Sequence, residues 1–544
     1  MSLVSRLITW IFKLPPAHTH AVTVDRDLPI RMPDGTVLLA DHYYPRGAGQ
    51  PPTILIRTPY GRSSVMGLIF SVPYAERGFQ VFIQSCRGTF GSEGEFNAFR
   101  NEREDGLSTL EWLKTQPWFS GEWATMGPSY LGFVQWAIAA DAGPGLKAMA
   151  PQVTASEFHS LTYAGEGFGL DTSLTWINLL RHQEDSFIAG WLARLTQSGA
   201  TAQAATTLPL AETDRVATGE RVPFYQDWLA HNTPGDPFWG PVDFSSSVER
   251  VSAPVHLTGG WYDIFLPDTV ADYTRLRQAC RQPYLTIGPW THSAPAMIAT
   301  AVRESLGWFS AHLLGDTRHL RHAPVRVYVM GANTWREFDQ WPPDGFMQTP
   351  WFLGPNRRLA LLPPPACPPD TFHYDPADPT PAAGGASLSR NAGPKDNRRL
   401  EARPDVLTYT APLLERPVEI IGPLRVELYA KSSQAFTDFF ARLCDVSPSG
   451  RSTNLSDGLL RLTPGRVPAC PDGSLKVSFD LWPTAHVFLP GHAIRLQVSS
   501  GAHPHYVRNP GSGEPLASAV SLYPADQSIF HDPEHPSAVF LPVK

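Results

Sequence analysis

Hydrophobic and polar positions along this chain change period several times, and each change marks an element. Val22 to Met32 and Thr36 to Tyr44 alternate around Pro33-Asp34-Gly35, which predicts a β-hairpin closed by turn residues. Short apolar runs at Thr53 to Arg57 and Phe79 to Gln84 read as buried strands. Leu107, Leu110 and Leu113 fall at helical spacing within Glu104 to Gln116. A strand at Trp123 to Met126, a helix over Tyr130 to Ala140 and a strand at Ala148 to Val153 come next. Strands that alternate with helices of this length indicate crossover units and a mostly parallel sheet.

From Ser156 to Val242 the strand signal gives way to helical, aromatic-bearing stretches carrying Phe158, Tyr163, Phe168, Trp176, Phe187, Trp191, Phe224 and Trp228. The α/β rhythm resumes at Ala253 to Gly259, continues through a helix over Asp268 to Gln278 and reaches a strand at Pro283 to Ile287. Beyond Pro324, runs such as Val325 to Met330, Val426 to Ala430, Leu459 to Leu462, Lys476 to Leu481 and Ala493 to Val498 lie between Pro, Gly, Asp and Ser turns. That spacing predicts a β-sandwich of jelly-roll type. The expected class is therefore α/β: an α/β domain over 21–155 and 243–323, a helical cap inserted over 156–242, and a C-terminal sandwich over 324–544. Residues 1–20 stand apart.

Composition sharpens this picture. The 544 residues exceed what one core accommodates, and the 54 prolines fit loop-rich β-structure. The net charge of −7, with no basic stripe, argues against a nucleic-acid partner. Five scattered cysteines, without a CxxC pair, argue against a zinc site or a disulfide scaffold. They fit a reducing compartment, so a cytoplasmic location is expected, with export left open. Met1 to Leu14 is too short and too interrupted by Arg6 and Lys13 to span a membrane, and it lacks a cleavage site. It reads as an amphipathic helix lying on the body or at a surface.

The chemistry begins at Trp123–Gly132, where an apolar strand runs through Gly127-Pro128-Ser129-Tyr130 into a helix. A nucleophile elbow needs this arrangement: small neighbours let strand and helix approach, and the serine projects above the sheet edge. A serine capping a helix after a strand reads the same way in isolation. The usual motif also has glycine two places after the serine, whereas here Leu131 holds that place and Gly132 comes next. Gly259-Gly260-Trp261-Tyr262-Asp263 and Gly288-Pro289-Trp290-Thr291-His292 both come directly after expected strands, giving the order Ser, Asp, His.

Together with Arg57-Thr58-Pro59-Tyr60-Gly61, Arg87-Gly88-Thr89-Phe90-Gly91-Ser92-Glu93-Gly94 and Ser500 to Asn509, these motifs resemble the cocaine esterase / X-Pro dipeptidyl-peptidase (CocE/NonD) family of serine hydrolases over nearly the whole chain. The resemblance implies Ser129 as nucleophile, Asp263 as the orienting acid and His292 as the base. It also implies an oxyanion hole made of the Tyr60 phenol and the Tyr130 amide, and no metal or organic cofactor. Two departures stand out: Gln84-Ser85-Cys86 precedes Arg87 where the family often has an aspartate, and Pro128 precedes the serine. Cys86 reads as an inert apolar residue.

The implied partner is a small-molecule ester or amide. Relatives acting on α-amino acid esters resemble one another in extra carboxylates just after the catalytic Asp; here Ile264-Phe265-Leu266 occupy those places, which favours a bulky apolar or aromatic acyl group. X-Pro dipeptidyl peptidases of the family tend to carry an extra N-terminal domain, and this chain enters the hydrolase domain almost at once. An esterase is expected first, an X-Pro peptidase or acylase second, and an inert jelly-roll-bearing binding protein third. The oligomeric state stays open, a homodimer included.

Overall fold

The computed structural model describes residues 2–63, 65–185 and 199–544, so Phe187 and Trp191 of the expected cap lie outside the described residues. The chain divides into two compact units, one of 1–158, 237–260 and 265–326, the other of 159–236, 261–264 and 327–544.

The first unit opens with helix α1 (Ser2–Phe12) and the hairpin β1 (Val22–Arg31) and β2 (Val37–Pro45). It continues through β3 (Thr53–Thr58), β4 (Gln80–Ser85), α2 (Glu102–Lys114), β5 (Trp123–Pro128), α3 (Tyr130–Ala139) and β6 (Leu146–Gln152). Later come β7 (His256–Tyr262), whose last two residues belong to the second unit, α4 (Leu266–Gln278), β8 (Tyr284–Thr291) and α5 (Pro295–Leu314). These strands lie in the order β1-β2-β4-β3-β5-β6-β7-β8. β1, β2 and β4 pair antiparallel, and β4, β3, β5, β6 and β7 pair parallel. β8 runs in the direction of β7: the Tyr284 amide donates to the Val255 carbonyl (2.9 Å), and Gly260 lies against the Trp290 carbonyl further along.

Burial explains why these segments take these forms. All six residues of β3 and of β4 are buried, so their central residues read as a short apolar run rather than as alternation. All ten residues of α3 are buried, which is the fate of a helix apolar on every side. α2 carries Glu102, Glu104 and Asp105 in its first turn and Lys114 in its last, complementing its dipole.

The second unit holds the long strands of the C-terminal region. Val418–Ser432 pairs antiparallel with Leu475–Phe488, and Thr437–Val446 with Ser452–Leu462. Three of these strands are far longer than the sequence suggested. Gly422-Pro423 and Trp482-Pro483, which look like breakers, face each other across a bulge where the register shifts between Gly422 and Leu424, so the pairing resumes beyond it. Residues 159–236 do not stand as a separate unit. They join these strands through backbone bonds from Arg461 to Gly165 (2.9 Å), Asp171 to Pro504 (2.9 Å) and Val507 to Phe168 (2.8 Å). Residues 261–264 join the same unit through Trp261 Nε1 to the Tyr328 carbonyl (2.6 Å) and the Tyr262 hydroxyl to the Asn454 carbonyl (3.1 Å).

Candidate active site

Ser129 sits between β5 and α3 with φ 59° and ψ −125°, a conformation costly for any residue with a side chain. Its surroundings hold it there. The Ser129 amide donates to the Gln152 carbonyl at the end of β6 (2.9 Å). Its carbonyl accepts from the Gly132 amide (2.8 Å), the Phe133 amide (3.1 Å) and the Thr154 hydroxyl (2.8 Å). The turn also depends on two glycines. Gly127 has φ 141°, and a Cβ there would fall 2.4 Å from Leu131 Cβ; one on Gly132 would fall 2.3 Å from Thr154 Cγ2. The displaced glycine of the motif is thus explained: Leu131 folds over Gly127, and Gly132 is where the helix meets Thr154.

Tyr130 begins α3 and is buried. Its phenol donates to Glu102 Oε1 (2.7 Å) and accepts from the Phe99 amide (2.9 Å). Burial, with the Glu102 charge beside it, pushes this phenol well above the usual tyrosine range, so it is a neutral donor. Glu102 in turn receives Arg57 Nη1 (2.9 Å), and Arg57 Nε donates to Gln84 Oε1 (2.9 Å). Arg87 forks onto both oxygens of Asp105 (2.6 and 3.1 Å). Gln84 fills the space before the Arg-Gly pair as a neutral acceptor for Arg57 and for the Thr109 hydroxyl (2.9 Å). The Cys86 thiol lies 3.6 Å from Glu102, and burial raises it well above the ordinary thiol value, which makes it unreactive. Glu102 and Asp105 were not singled out from the sequence. The available signal was their position: they share a helical face with Thr109, Leu110 and Leu113, so carboxylates occupied the buried side of α2.

Tyr60 lies half-buried in the turn after β3, its ring edge-on to Tyr130 with centroids 6.5 Å apart. Phe99 stacks on Tyr130 at 4.5 Å and lies tilted against Phe158 at 3.9 Å, and Phe96 approaches Tyr130 at 5.9 Å. A mostly buried aromatic cluster therefore begins at the residue after Ser129. Asp263 comes directly after β7 and is fully buried, while His292 comes directly after β8 and is half-buried. The His292 ring lies against Phe265, centroids 5.5 Å apart, a neighbour the sequence did not single out as such. Three strands that share a direction thus end in Ser129, Asp263 and His292.

Comparison with known proteins places this arrangement in context. Residues 34–294 match the X-Pro dipeptidyl-peptidase (S15) family, and residues 319–539 match the X-Pro dipeptidyl-peptidase C-terminal non-catalytic domain. The chain is 32% identical to a cocaine esterase of Rhodococcus sp. (strain MB1 Bresler) over 96% of its own length and 98% of the relative's. Among solved structures, an α-amino acid ester hydrolase superposes with a TM-score of 0.79 at 23% identity, covering 98% of both chains. An aminopeptidase from a marine sediment Thaumarchaeota archaeon gives the same TM-score and identity over 97% of both. A CocE/NonD family hydrolase from Staphylococcus aureus gives 0.71 at 15% identity, over 96% of this chain and 94% of that one.

Proposed function

Because this chain belongs to the cocaine esterase / X-Pro dipeptidyl-peptidase (CocE/NonD) family of α/β-hydrolase serine hydrolases, we propose that it cleaves esters of bulky apolar or aromatic acids through an acyl-enzyme on Ser129. The chain is a hydrolase of the serine type; the roles of its residues and its substrate class belong to the proposal. One observation carries it: Ser129 occupies a strained strand-to-helix junction whose every backbone partner preserves the strain. Unfavourable backbone geometry that is so thoroughly supported is a mark of function.

In this mechanism His292 takes the Ser129 proton as the hydroxyl oxygen bonds to the substrate carbonyl carbon. The carbonyl π electrons move to oxygen, and that oxyanion is held by the Tyr60 phenol and the Tyr130 amide at the start of α3. Collapse of the tetrahedral species breaks the bond to the leaving group, which departs with the proton from His292. Water, activated by the same imidazole, then releases the acid and restores Ser129. Asp263 fixes the imidazole tautomer. The acyl preference is supported by Phe265 against His292 and by the cluster of Tyr130, Phe99, Phe96 and Phe158. Five free cysteines support a cytoplasmic location.

A second reading, X-Pro dipeptidyl-peptidase or acylase action, is favoured by the family match across both regions. A panel of aryl esters, simple amides and X-Pro amides, run with the native chain and with Ser129→Ala, separates the two. Ester turnover that vanishes in Ser129→Ala is expected. Faster turnover of X-Pro amides moves the assignment to the peptidase, and failure of a fluorophosphonate to label Ser129 in the folded chain removes the catalytic reading altogether.

A further inference from the structure

Helix α1 is mounted with its polar side inward. Ser5 is buried and its hydroxyl donates to Glu76 Oε2 (2.5 Å). Thr9 accepts from Arg77 Nη2 (3.2 Å), and the Phe12 carbonyl accepts from Arg303 Nη1 (3.3 Å). Just beyond the helix, Leu14 is buried and the Pro15 carbonyl accepts from Arg77 Nε (2.9 Å). The apolar side faces out: Leu3 is 79% exposed, Trp10 77%, Leu7 54%, Ile11 52% and Val4 49%. At spacings of three and four these residues form one stripe. A surface helix of a globular protein is normally turned the other way, and a contiguous apolar stripe fixed outward marks an interaction surface.

The charges around the stripe say what it meets. Arg6 and Lys13 are exposed along it, and no acidic residue occurs before Asp25. A second copy of the helix would bring like charges together with no carboxylate of that segment to pair them. Where α1 ends, the chain lines a cavity of about 290 Å³ whose wall includes Lys13, Arg303, Arg321 and Arg326 together with Glu304. Glu304 is already saturated by His256 (3.2 Å), the Thr286 hydroxyl (2.5 Å), Arg321 (2.7 Å) and Arg326 (3.3 Å). Burial lowers the proton affinity of Arg303 and Arg321, against the opposing pull of Glu304. Apolar groups of Leu14 and Trp308 complete the wall. An outward stripe containing tryptophan, basic residues along it and an adjoining cationic pocket match the acyl boundary and the phosphates of an anionic bilayer.

We infer that α1 and the adjoining cationic cavity dock this chain on the surface of an anionic membrane, with Leu3, Leu7, Trp10 and Ile11 entering the acyl boundary. The helix lies in the plane and does not span. Since the chain as a whole carries −7, attraction to such a surface has to come from this local patch.

Flotation of the full chain with phosphatidylcholine vesicles, and with vesicles containing phosphatidylglycerol, tests the inference. Binding is expected to the phosphatidylglycerol vesicles, to weaken in high salt, and to fall at least about tenfold in Trp10→Glu and in Leu7→Glu. Both side chains point outward, so folding and the turnover of a soluble aryl ester are expected to stay unchanged. A native chain that ignores both vesicle types overturns the inference, as does a Trp10→Glu chain that floats like the native one. A native dimer that Trp10→Glu dissociates, with no vesicle binding, overturns it too and assigns the stripe to a second copy.

Discussion

Removing one oxygen from Tyr130 separates what its side chain does from what its backbone does. In the native chain the phenol joins a buried amide to a buried carboxylate, with Tyr130 2%, Phe99 5% and Glu102 3% exposed. Tyr130→Phe leaves the Phe99 N–H without its acceptor, a loss of about 1–3 kcal/mol for a buried donor. It also takes a charge-assisted bond from Glu102, worth about 1.5–3 kcal/mol. Glu102 keeps Arg57 at 2.9 Å, so the carboxylate is not stranded and the lower part of the summed range, about 3 kcal/mol, is expected. The oxyanion donor assigned to this residue is its backbone N–H, which the substitution does not touch. Tyr130→Phe should therefore lower stability far more than activity. Urea unfolding and hydrogen exchange across residues 96–102 read the first effect, with protection at Phe99 falling by roughly 100-fold. Aryl-ester kinetics read the second, with kcat/KM falling by less than about tenfold. Exchange at Phe99 and an unfolding midpoint both equal to native would refute the anchoring role. A collapse of kcat by three orders of magnitude in a chain that still folds would place the phenol itself in the chemistry.

On the role proposed for its phenol as an oxyanion donor, Tyr60→Phe should lower kcat about 10²–10³-fold; equal kinetics in the two chains would exclude the phenol from the hole. Burial raises the Asp272 carboxyl from 3.8 to about 6, against the bonds it accepts from Ser156 and Arg275. The folded chain then holds this proton more tightly than the unfolded one, so the contribution is complete below pH 3.8 and is lost as pH rises through 6. Asp272→Asn should erase a fall on the order of 3 kcal/mol between pH 4 and 7, read as the difference between native and variant urea midpoints at the two pH values; a constant difference sinks the point. Iodoacetamide should modify exposed Cys280 in the folded chain and reach Cys86 and Cys444 only after unfolding, since burial pushes Cys444 up to about 12 and Cys86 also well up; mass mapping of early adducts at Cys86 would contradict this.

The parallel strands of the first unit were legible because most carry a short apolar stretch between turn residues, and the order Ser, Asp, His could be read from residues placed after three of them. The C-terminal strands were only partly legible. Thr437–Val446 hid because Arg442 and Asp438 interrupt its apolar pattern, and both are buried in ion pairs with Asp457 (2.8 Å) and Arg461 (2.8 Å) on the neighbouring strand. A pattern read one residue at a time cannot show that two charges cancel across a ladder. The Gly422-Pro423 bulge misled for a related reason, since its partner lies about 60 residues away at Leu481 to Thr484. At the site, the motif pointed to Ser129, whereas the support from Glu102, Arg57 and Gln84 depends on which face of α2 turns inward.

The bonds around Ser129 have one more consequence. Its amide and carbonyl are both fully committed, to Gln152 on one side and to Gly132, Phe133 and Thr154 on the other. Rotation about Cα–Cβ is the only cheap internal motion left to this residue, so the hydroxyl samples a few staggered wells on a stationary pivot. A bulky adduct on the oxygen cannot be relieved by shifting the pivot. The groups facing it must yield instead, and tolerance for large inhibitors will be set by them.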